Sequence, residues 1–236
     1  MDTFYSPVLQ ENTTIQLNKD ESFHLFSVLR KREGEQILVI DGNGMKAAGK
    51  IVVADKIGSM IQVGTIMFQS DKNFHTLAIA PTKHMDRFEY FVEKSIEMGI
   101  HGIAPILTKN SERKVINSER IHKIMLSAVK QSRAFYLPIL YPIQKFSSLI
   151  QQEDTGEKYV ATCIKDAPLF QNVYRPNQKS IIFVGPEGDF AEDEVINAIE
   201  NKANLISLGE NRLRVETAGI LICATITLLN QKNNEK

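Results

Sequence analysis

The chain has 236 residues, 43% of them hydrophobic, which suffices for one large domain or for a small domain followed by a medium one. Its 28 basic and 28 acidic residues cancel, which excludes the clearly basic profile of a free-standing duplex binder and leaves a local basic patch as the route to nucleic acid. Cys163 and Cys223 are too few and too far apart for a disulfide framework or a CxxC metal site, and both are expected as reduced, buried thiols.

The opening Met1-Asp2-Thr3-Phe4 has neither the basic nor the apolar region of a signal peptide, so a soluble, cytoplasmic protein is expected. Residues 1–70 read as a small β-rich domain. Asp20 is placed to cap a helix in which Phe23, Phe26, Val28 and Leu29 share one apolar face. Glu35–Ile40 reads as a strand, Gly42-Asn43-Gly44 as a hairpin turn, and Lys50–Ala54 and Ile61–Met67 as further strands separated by Gly58-Ser59. Short strands with this turn punctuation predict a small barrel. The only basic cluster here, Arg30-Lys31-Arg32, reads either as a solvated helix end or as a clamp for phosphates.

The polar Asp71-Lys72-Asn73 marks the expected boundary. Thr76–Ala80 is a predicted strand. A loop over 81–86 leads into a helix with Phe88, Phe91, Val92, Ser95 and Ile96 on one face, closed by Gly99 in the left-handed conformation. Ile103–Leu107 is the next strand. Ser118 is placed to cap a helix carrying Ile121, Met125 and Ala128 on one side, which must end before Pro138. Tyr159–Ile164, Ser180–Val184 and Ala203–Leu208 complete a strand–helix alternation that predicts a parallel sheet with helices on both faces.

Two of these strands run into glycine-bearing loops. After Ile181-Ile182-Phe183-Val184, Gly185 and Gly188 bracket Pro186 and Glu187, so the backbone turns sharply and can lie close to a ligand. Ala191-Glu192-Asp193-Glu194 then opens a helix with its acids at the positive end of the dipole. Leu208-Gly209-Glu210-Asn211-Arg212-Leu213-Arg214 follows the same plan. Loops at the carboxyl ends of strands are where open α/β sheets bind small ligands, so the two would wall one cleft. Plain turn glycines with no ligand are the alternative. There is no GxGxxG, P-loop or HExxH, and His24, His75, His84, His101 and His122 share no metal-like spacing, so no metal is expected. The run Ala218–Leu229 falls short of the ~20 residues of a membrane span. It is apolar nearly all round and must be buried, either wholly within the chain or between its own sheet and a second subunit. Asn230–Lys236 reads as a polar, frayed tail.

Gly185-Pro186-Glu187-Gly188 together with Leu208-Gly209-x-x-x-Leu213-Arg214-x-Glu216-Thr217-Ala218 resembles the paired signature of the SPOUT methyltransferases, and most closely that of the RsmE family. The run His24-Leu25-x-x-Val28-Leu29-Arg30-x-x-x-Gly34 resembles that family's PUA-like RNA-binding domain. Lys83-x-x-x-Arg87-x-Glu89-x-x-x-Glu93-Lys94 with Gly99-Ile100 resembles the first helix of its catalytic domain. Ala128-Val129-Lys130-Gln131-Ser132-Arg133 is similar to its Glu-Ala-x-x-Gln-Ser-x-Arg motif, with Ser127 where glutamate is common. The arginine usual near the family's start is missing: this chain has Asp2 and no base before Lys19.

The resemblance implies a PUA-like β-barrel over residues 1–70 and a SPOUT α/β trefoil-knot domain with a mostly parallel sheet over 71–236. General folding rules would instead predict an unknotted chain. It further implies methylation of N3 of a uridine in 16S ribosomal RNA of the 30S subunit, with S-adenosylmethionine as donor, by a homodimer. The loops Thr162–Asp166, Gly185–Asp189 and Leu208–Leu213 would hold the donor. Thr162, Cys163, Gly185, Pro186, Glu187, Gly188, Leu208, Gly209, Asn211, Leu213, Thr217 and Ala218 are the expected cofactor residues. Methyl transfer from a sulfonium is an in-line displacement that depends on alignment. The uridine N3 proton must leave, and a cation that stabilises the uracil anion assists it. Arg214 and Arg133 are the candidates, with an internal ion pair to Glu187 or Glu216 as the alternative role for Arg214. RNA contacts are expected from Arg30, Lys31, Arg32, Arg113 and Lys114.

Overall fold

The computed structural model describes residues 1–70 and 74–234, so the boundary expected at Asp71-Lys72-Asn73 lies outside the described residues. The chain forms two compact units, Met1–Asp71 with Leu126–Leu137, and Lys72–Met125 with Pro138–Lys236. A division at residue 70 therefore leaves out 126–137, which the first unit holds through the contacts given below.

In the first unit, β1 (Thr3–Tyr5), β2 (Thr14–Gln16), β3 (Gln36–Ile40), β4 (Met45–Val53) and β5 (Met60–Phe68) form one sheet in the order β1-β3-β4-β5-β2. Only the β1–β3 pair is parallel. Between β3 and β4, Gly42 and Gly44 adopt φ of 74° and 103°, and the Asp41 carboxylate accepts the N–H groups of Asn43 and Met45, which fixes the turn. Register shifts between Ala47 and Gly49 and between Ile51 and Val53 bend the β4–β5 ribbon. The sheet curls over a core that includes Phe4, Ile15, Ile37, Val39, Ile51 and Ile61.

The helix of this unit departs from its expected form. Asn18, not Asp20, caps α1 (Lys19–Phe23): its Oδ1 accepts the Glu21 N–H at 2.9 Å. The helix then widens into a single π-helical turn over His24–Val28. The inward face is set by residues three and four apart, Ser22, Leu25 and Leu29, which leaves Phe23 and Phe26 on the opposite side of the helix. Glu21, Ser22 and Leu25 are buried instead, while Phe23, Phe26 and Val28 are 51%, 41% and 56% exposed. Glu21 is satisfied on both oxygens, by the Tyr5 N–H at 3.1 Å and by Lys130 Nζ at 2.6 Å. Lys46 Nζ donates to the Arg133 carbonyl and lies 3.8 Å from the Phe135 ring centroid, and Gly42 and Gly44 exchange backbone bonds with Leu137 and Phe135. These contacts place 126–137 in the first unit.

The second unit is built on β6 (His75–Ile79), β7 (Gly102–Leu107), β8 (Ile139–Leu140), β9 (Gln144–Lys145), β10 (Glu157–Ala161), β11 (Ser180–Val184) and β12 (Asn204–Ile206). They form a parallel sheet in the order β12-β10-β11-β6-β7-β8, with β9 beside β7. All five residues of β11 are buried, as its continuous apolar run requires. On one face, Phe146 and Leu149 of α4 (Phe146–Ile150) and Ala198 of α6 (Glu192–Glu200) pack with Val160, Ile181 and Phe183. The other face carries α2 (Met85–Glu97) and α7 (Val215–Asn234). A Cβ on Gly219 would lie 2.7 Å from the Phe91 ring, so α7 approaches α2 this closely only with glycine there.

Helix α2 ends as expected: Gly99 has φ 79°, its N–H reaches the Ile96 carbonyl, and the Ile100 N–H reaches that of Ser95. Helix α3 (Ser118–Ser132) is capped by Asn117 rather than Ser118, with the Arg120 N–H on Asn117 Oδ1 at 3.0 Å. A short α5 (Phe170–Val173) follows β10. Helix α7 begins three residues before Ala218 and runs through Asn230 to Asn234, where a frayed tail was expected. Glu235 and Lys236 lie outside the described residues.

A buried polar cluster at the amino ends of β6 and β11 fastens α7. His75 Nδ1 is 2.8 Å from Ser180 Oγ, and its Nε2 is 3.0 Å from Asn230 Nδ2 and 3.1 Å from the Tyr174 hydroxyl. The Asn177 N–H donates to Asn230 Oδ1, which turns the Asn230 amide nitrogen towards His75. Nε2 is therefore the acceptor, and Nδ1 carries the proton and donates to Ser180. Burial, reinforced by His101 nearby, pushes the His75 pKa down to about 4. Of the two thiols, Cys223 is buried but Cys163 is exposed, contrary to expectation, because it lies on a loop beyond β10 rather than in a strand.

Candidate active site

The segments that follow β10, β11 and β12 open onto one cleft of about 1180 Å³. Strands with buried carboxyl ends deliver the chain to the same edge of a parallel sheet, so successive loops converge there. The segment after β12 lies alongside the one after β10: Thr162 N–H reaches Ile206 O, Phe170 N–H reaches Ser207 O, and Ser207 N–H reaches Pro168 O, each within 3.0 Å. The chain then turns back as α7 beside β6, β11 and α2.

Within the Gly185–Asp189 loop, neither glycine has a positive φ; that conformation falls on Asp189 at 60° and on Gly209 at 127°. Gly185 and Gly188 provide room instead. A Cβ on Gly185 would meet the Phe190 ring at 3.1 Å, and one on Gly188 would meet Asn110 Cβ at 3.1 Å. The Asn110 amide donates to the carbonyls of Gly188 and Asp189 at 3.1 and 3.0 Å. The Asp189 carboxylate accepts the N–H groups of Phe190 and Cys163, tying the loop after β11 to the loop after β10. Glu194 accepts the N–H groups of Lys109 and Ala191 and fixes the start of α6. Arg212 Nη2 donates to the Glu187 carbonyl at 2.8 Å, which joins the third loop to the second.

The cleft mixes apolar walls with balanced charge. Val184, Leu208, Leu213 and Ala218 supply apolar surface, and Ile164 and Leu169 stay 45% and 40% exposed at its side. Arg87, Lys165, Arg212 and Arg214 face Asp166, Glu187, Asp189 and Glu210 around the rim and floor, as many cations as carboxylates. Although Cys163 is exposed, partial desolvation at the cleft wall, followed by the Asp189 carboxylate, raises its thiol above its ordinary pKa.

Thr162, Cys163, Gly185, Pro186, Glu187, Leu208, Gly209, Asn211, Leu213, Arg214 and Ala218 all line this cleft; Gly188 and Thr217 do not. The Arg214 side chain is exposed and has no hydrogen bond or ion pair among the described residues. Neither alternative partner engages it. Glu216 faces Arg87, with Oε1 and Nε 3.9 Å apart, and Glu187 Oε1 accepts the Lys83 N–H at 3.2 Å. Arg133 belongs to the first unit, where it takes φ 55° and donates to the Met1 carbonyl at 3.3 Å.

The expected RNA residues divide in two. Lys31 is held by Asp2 at 2.9 Å and Glu35 at 3.1 Å, and Arg113 donates twice to the Lys83 carbonyl. Arg30, Arg32 and Lys114 are exposed, and no hydrogen bond or ion pair holds their side chains among the described residues, although the Arg32 charge helps to lower the Glu35 pKa. Sequence reasoning missed Asn110 and the Arg87–Glu216 pair, and it placed Asp189 in a cofactor loop and Glu194 at a helix start without their bonds to Cys163 and Lys109. Asp189 had a local signal for its backbone, since aspartate directly after a Gly-Pro-Glu-Gly turn suits a left-handed position.

A family model described as RNA methyltransferase domain matches residues 70–227, two thirds of the chain. The protein belongs to the RNA methyltransferase family. A second model, RNA methyltransferase PUA domain, matches residues 17–60. Ribosomal RNA small subunit methyltransferase E from Rickettsia conorii is 27% identical over 96% of this chain and 95% of its own length. The probable rRNA-methyltransferase from Porphyromonas gingivalis superposes with a TM-score of 0.89 at 31% identity, covering 99% of this chain and 100% of that one. Ribosomal RNA small subunit methyltransferase E from Neisseria gonorrhoeae, solved bound to S-adenosyl methionine, gives 0.85 at 28% identity, covering 97% and 98%. The architecture is thus that of a SPOUT-type α/β methyltransferase domain preceded by a PUA-like β domain.

Proposed function

We propose that the protein methylates N3 of a uridine in 16S ribosomal RNA of the small ribosomal subunit, using S-adenosylmethionine. The observation that carries this reading is the single cleft walled by the three loops of the family signature, in a chain similar from end to end to small-subunit RNA methyltransferases. The residues fit the donor. The cleft exceeds the roughly 300–1,000 Å³ usual for small-molecule sites. Leu208 and Leu213 offer apolar faces for a flat base, and carboxylates stand ready for cationic groups. S-adenosylmethionine, when bound, supplies an electrophilic methyl group on a sulfonium.

The chain aligns the reactants. Asn110, Asp189 and Arg212 pin the three loops to one another, so Thr162, Cys163, Gly185, Pro186, Glu187, Leu208, Gly209, Asn211, Leu213 and Ala218 form a preorganised cradle, with Gly188 and Thr217 behind it. Arg214, at the cleft with no hydrogen bond or ion pair among the described residues, stabilises the uracil anion left when N3 loses its proton. We assign that role to Arg214 over Arg133 because the Arg133 guanidinium already serves the Met1 carbonyl. Arg30, Arg32 and Lys114 take phosphates, while Lys31 and Arg113 brace their own loops. Helix α7 leaves Leu221 and Leu228 39% and 66% exposed, an apolar strip suited to a second copy, so the working unit is a homodimer. Among the described residues no helix is long and apolar enough to cross a membrane, and the enzyme works in the cytoplasm with the ribosomal subunit.

Incubation with methyl-labelled S-adenosylmethionine and 30S particles, followed by nucleoside analysis, tests the reading. Label in 3-methyluridine is expected. Label in a 2′-O-methylated nucleoside, or no label in RNA, would overturn it.

A further inference from the structure

The π-helical turn lies on an unusual surface of the first unit. Phe23, Phe26 and Val28 are 51%, 41% and 56% exposed, and Arg30 and Arg32, both exposed and without a hydrogen bond or ion pair among the described residues, follow within six residues of Phe26. Two open phenyl rings followed so closely in the chain by two guanidinium groups join aromatic faces to positive charge on one short segment. Lys31 is held by Asp2 and Glu35, and Glu33 stands between Arg32 and the next strand, so Arg30 and Arg32 are the cations here without a hydrogen bond or ion pair among the described residues, in a segment whose acids and bases otherwise balance. π-turns are rare inside helices and recur at functional sites. Here Phe23 stands at the start of the turn and Phe26 within it, on the face opposite the buried Glu21, Ser22 and Leu25.

We infer that Phe23 and Phe26 form a stacking platform for unpaired nucleotides, with Arg30 and Arg32 neutralising the adjoining phosphates. A base offers a flat π-face to an aromatic ring whatever its identity, so such a platform holds single-stranded RNA with little sequence preference. In a duplex the bases are stacked on one another and the rings find no free face. The platform therefore selects unpaired over paired RNA, whereas the cations serve both. This deepens the RNA-methyltransferase reading by specifying the form of RNA that the first unit grips, and it rests on that reading for the identity of the polymer.

The test uses the full chain without S-adenosylmethionine. Binding of a labelled, unstructured mixed-sequence RNA oligonucleotide, and of an RNA duplex of equal length, is followed by fluorescence anisotropy over a range of salt concentrations. The double variant Phe23→Ala/Phe26→Ala should weaken single-strand binding by about tenfold or more and leave duplex binding unchanged. The slope of log K against log salt should not move, because no phosphate contact is lost. Phe26→Trp should retain single-strand binding. Arg30→Ala or Arg32→Ala should weaken both RNAs and flatten the slope by about one. Both phenyl groups are exposed, so thermal melting of the double variant should match the parent.

The inference is overturned if the double variant binds the single strand as the parent does. It is equally overturned if the variant loses single strand and duplex alike, if the parent binds neither RNA, or if the substitutions change only the sedimentation of the protein, which would make the surface a contact between copies. Failure of the N3-methylation reading shows instead in the nucleoside assay on 30S particles, which does not depend on these outcomes.

Discussion

The Asp189 carboxylate accepts the backbone N–H of Cys163 at 3.2 Å, and so holds together two loops that are 26 residues apart in the chain. The same carboxylate accepts the Phe190 N–H at 2.8 Å, and Asp189 itself sits at φ 60°. Replacing Asp189 with alanine removes both acceptors and puts a residue ill suited to left-handed backbone at that position. A stability loss of about 2 kcal/mol is expected, together with roughly tenfold weaker binding of S-adenosylmethionine. Asp189→Asn tolerates the backbone and keeps one oxygen acceptor, so it should fall between. Calorimetric titration with the cofactor and a thermal melt measure both; unchanged cofactor affinity in the alanine variant would show that the loops do not depend on this tie.

Arg214 lines the cleft with no hydrogen bond or ion pair among the described residues, whereas Arg87 is matched to Glu216. Arg214→Ala should lower kcat by about 100- to 1,000-fold, the usual loss of one donor that stabilises developing negative charge. Affinity for S-adenosylmethionine should change by no more than about twofold, since the interaction is made in the transition state. Parallel loss of cofactor binding and turnover would assign Arg214 a structural role.

Cys163 lines the cleft and Cys223 lies in the core, so the two thiols should respond differently to a maleimide. In the native protein only Cys163 should react, and more slowly at neutral pH than a free cysteine, because partial desolvation and the Asp189 carboxylate both raise its pKa. Burial pushes the Cys223 thiol up to about 12, and it should react only after unfolding. Saturating S-adenosylmethionine should protect Cys163. Mass spectrometry after timed labelling reads this directly, and equal labelling with and without cofactor would place the ligand elsewhere.

His75 gives the second unit a defined acid sensitivity. Its folded pKa of about 4 lies below the ordinary value of 6.5, so between those values the unfolded chain binds the extra proton. Stability is therefore complete above about pH 6.5, falls as the pH drops towards about 4, and loses nothing more to this group below that. The contribution is up to roughly 3 kcal/mol. On protonation Nε2 would present an N–H to the Asn230 amide nitrogen, so the α7 anchor breaks first. Denaturant titrations across this window should show the slope in the parent and a flatter profile in His75→Gln. An identical slope in both would assign the acid lability to carboxylates.

Much of the second unit was legible because β6, β7, β10 and β11 are strands of five or six residues, each carrying an apolar run, and their alternation with helices implies a parallel sheet, although it does not give the sheet order. The cleft loops were visible from the glycines that follow β11 and β12. The elements that escaped detection are short or depend on long-range partners. Strands β1 and β2 span three residues each, too few for a period to show. The caps fell to Asn18 and Asn117 in place of Asp20 and Ser118, neighbours with similar propensity that only the folded backbone separates. Phe23, Phe26 and Val28 face outward because the inward stripe is Ser22, Leu25 and Leu29, and in a short helix with apolar residues on both sides hydrophobicity alone does not choose between them. Asn110 and Glu216 meet their partners 78 and 129 residues away, a distance at which one sequence carries no pairing signal.

Helix α3 begins in the second unit and delivers residues 126–137 to the first. Dissection of the gene at the inter-unit segment would therefore not yield two independent halves. A fragment starting after residue 73 would keep Lys130, Phe135 and Leu137 but lose Glu21, Lys46 and Gly42, the groups that satisfy them. Such a fragment would display an orphaned ammonium, a bare phenyl ring and unpaired backbone, and would tend to self-associate. The halves have to be inherited, expressed and engineered as a pair.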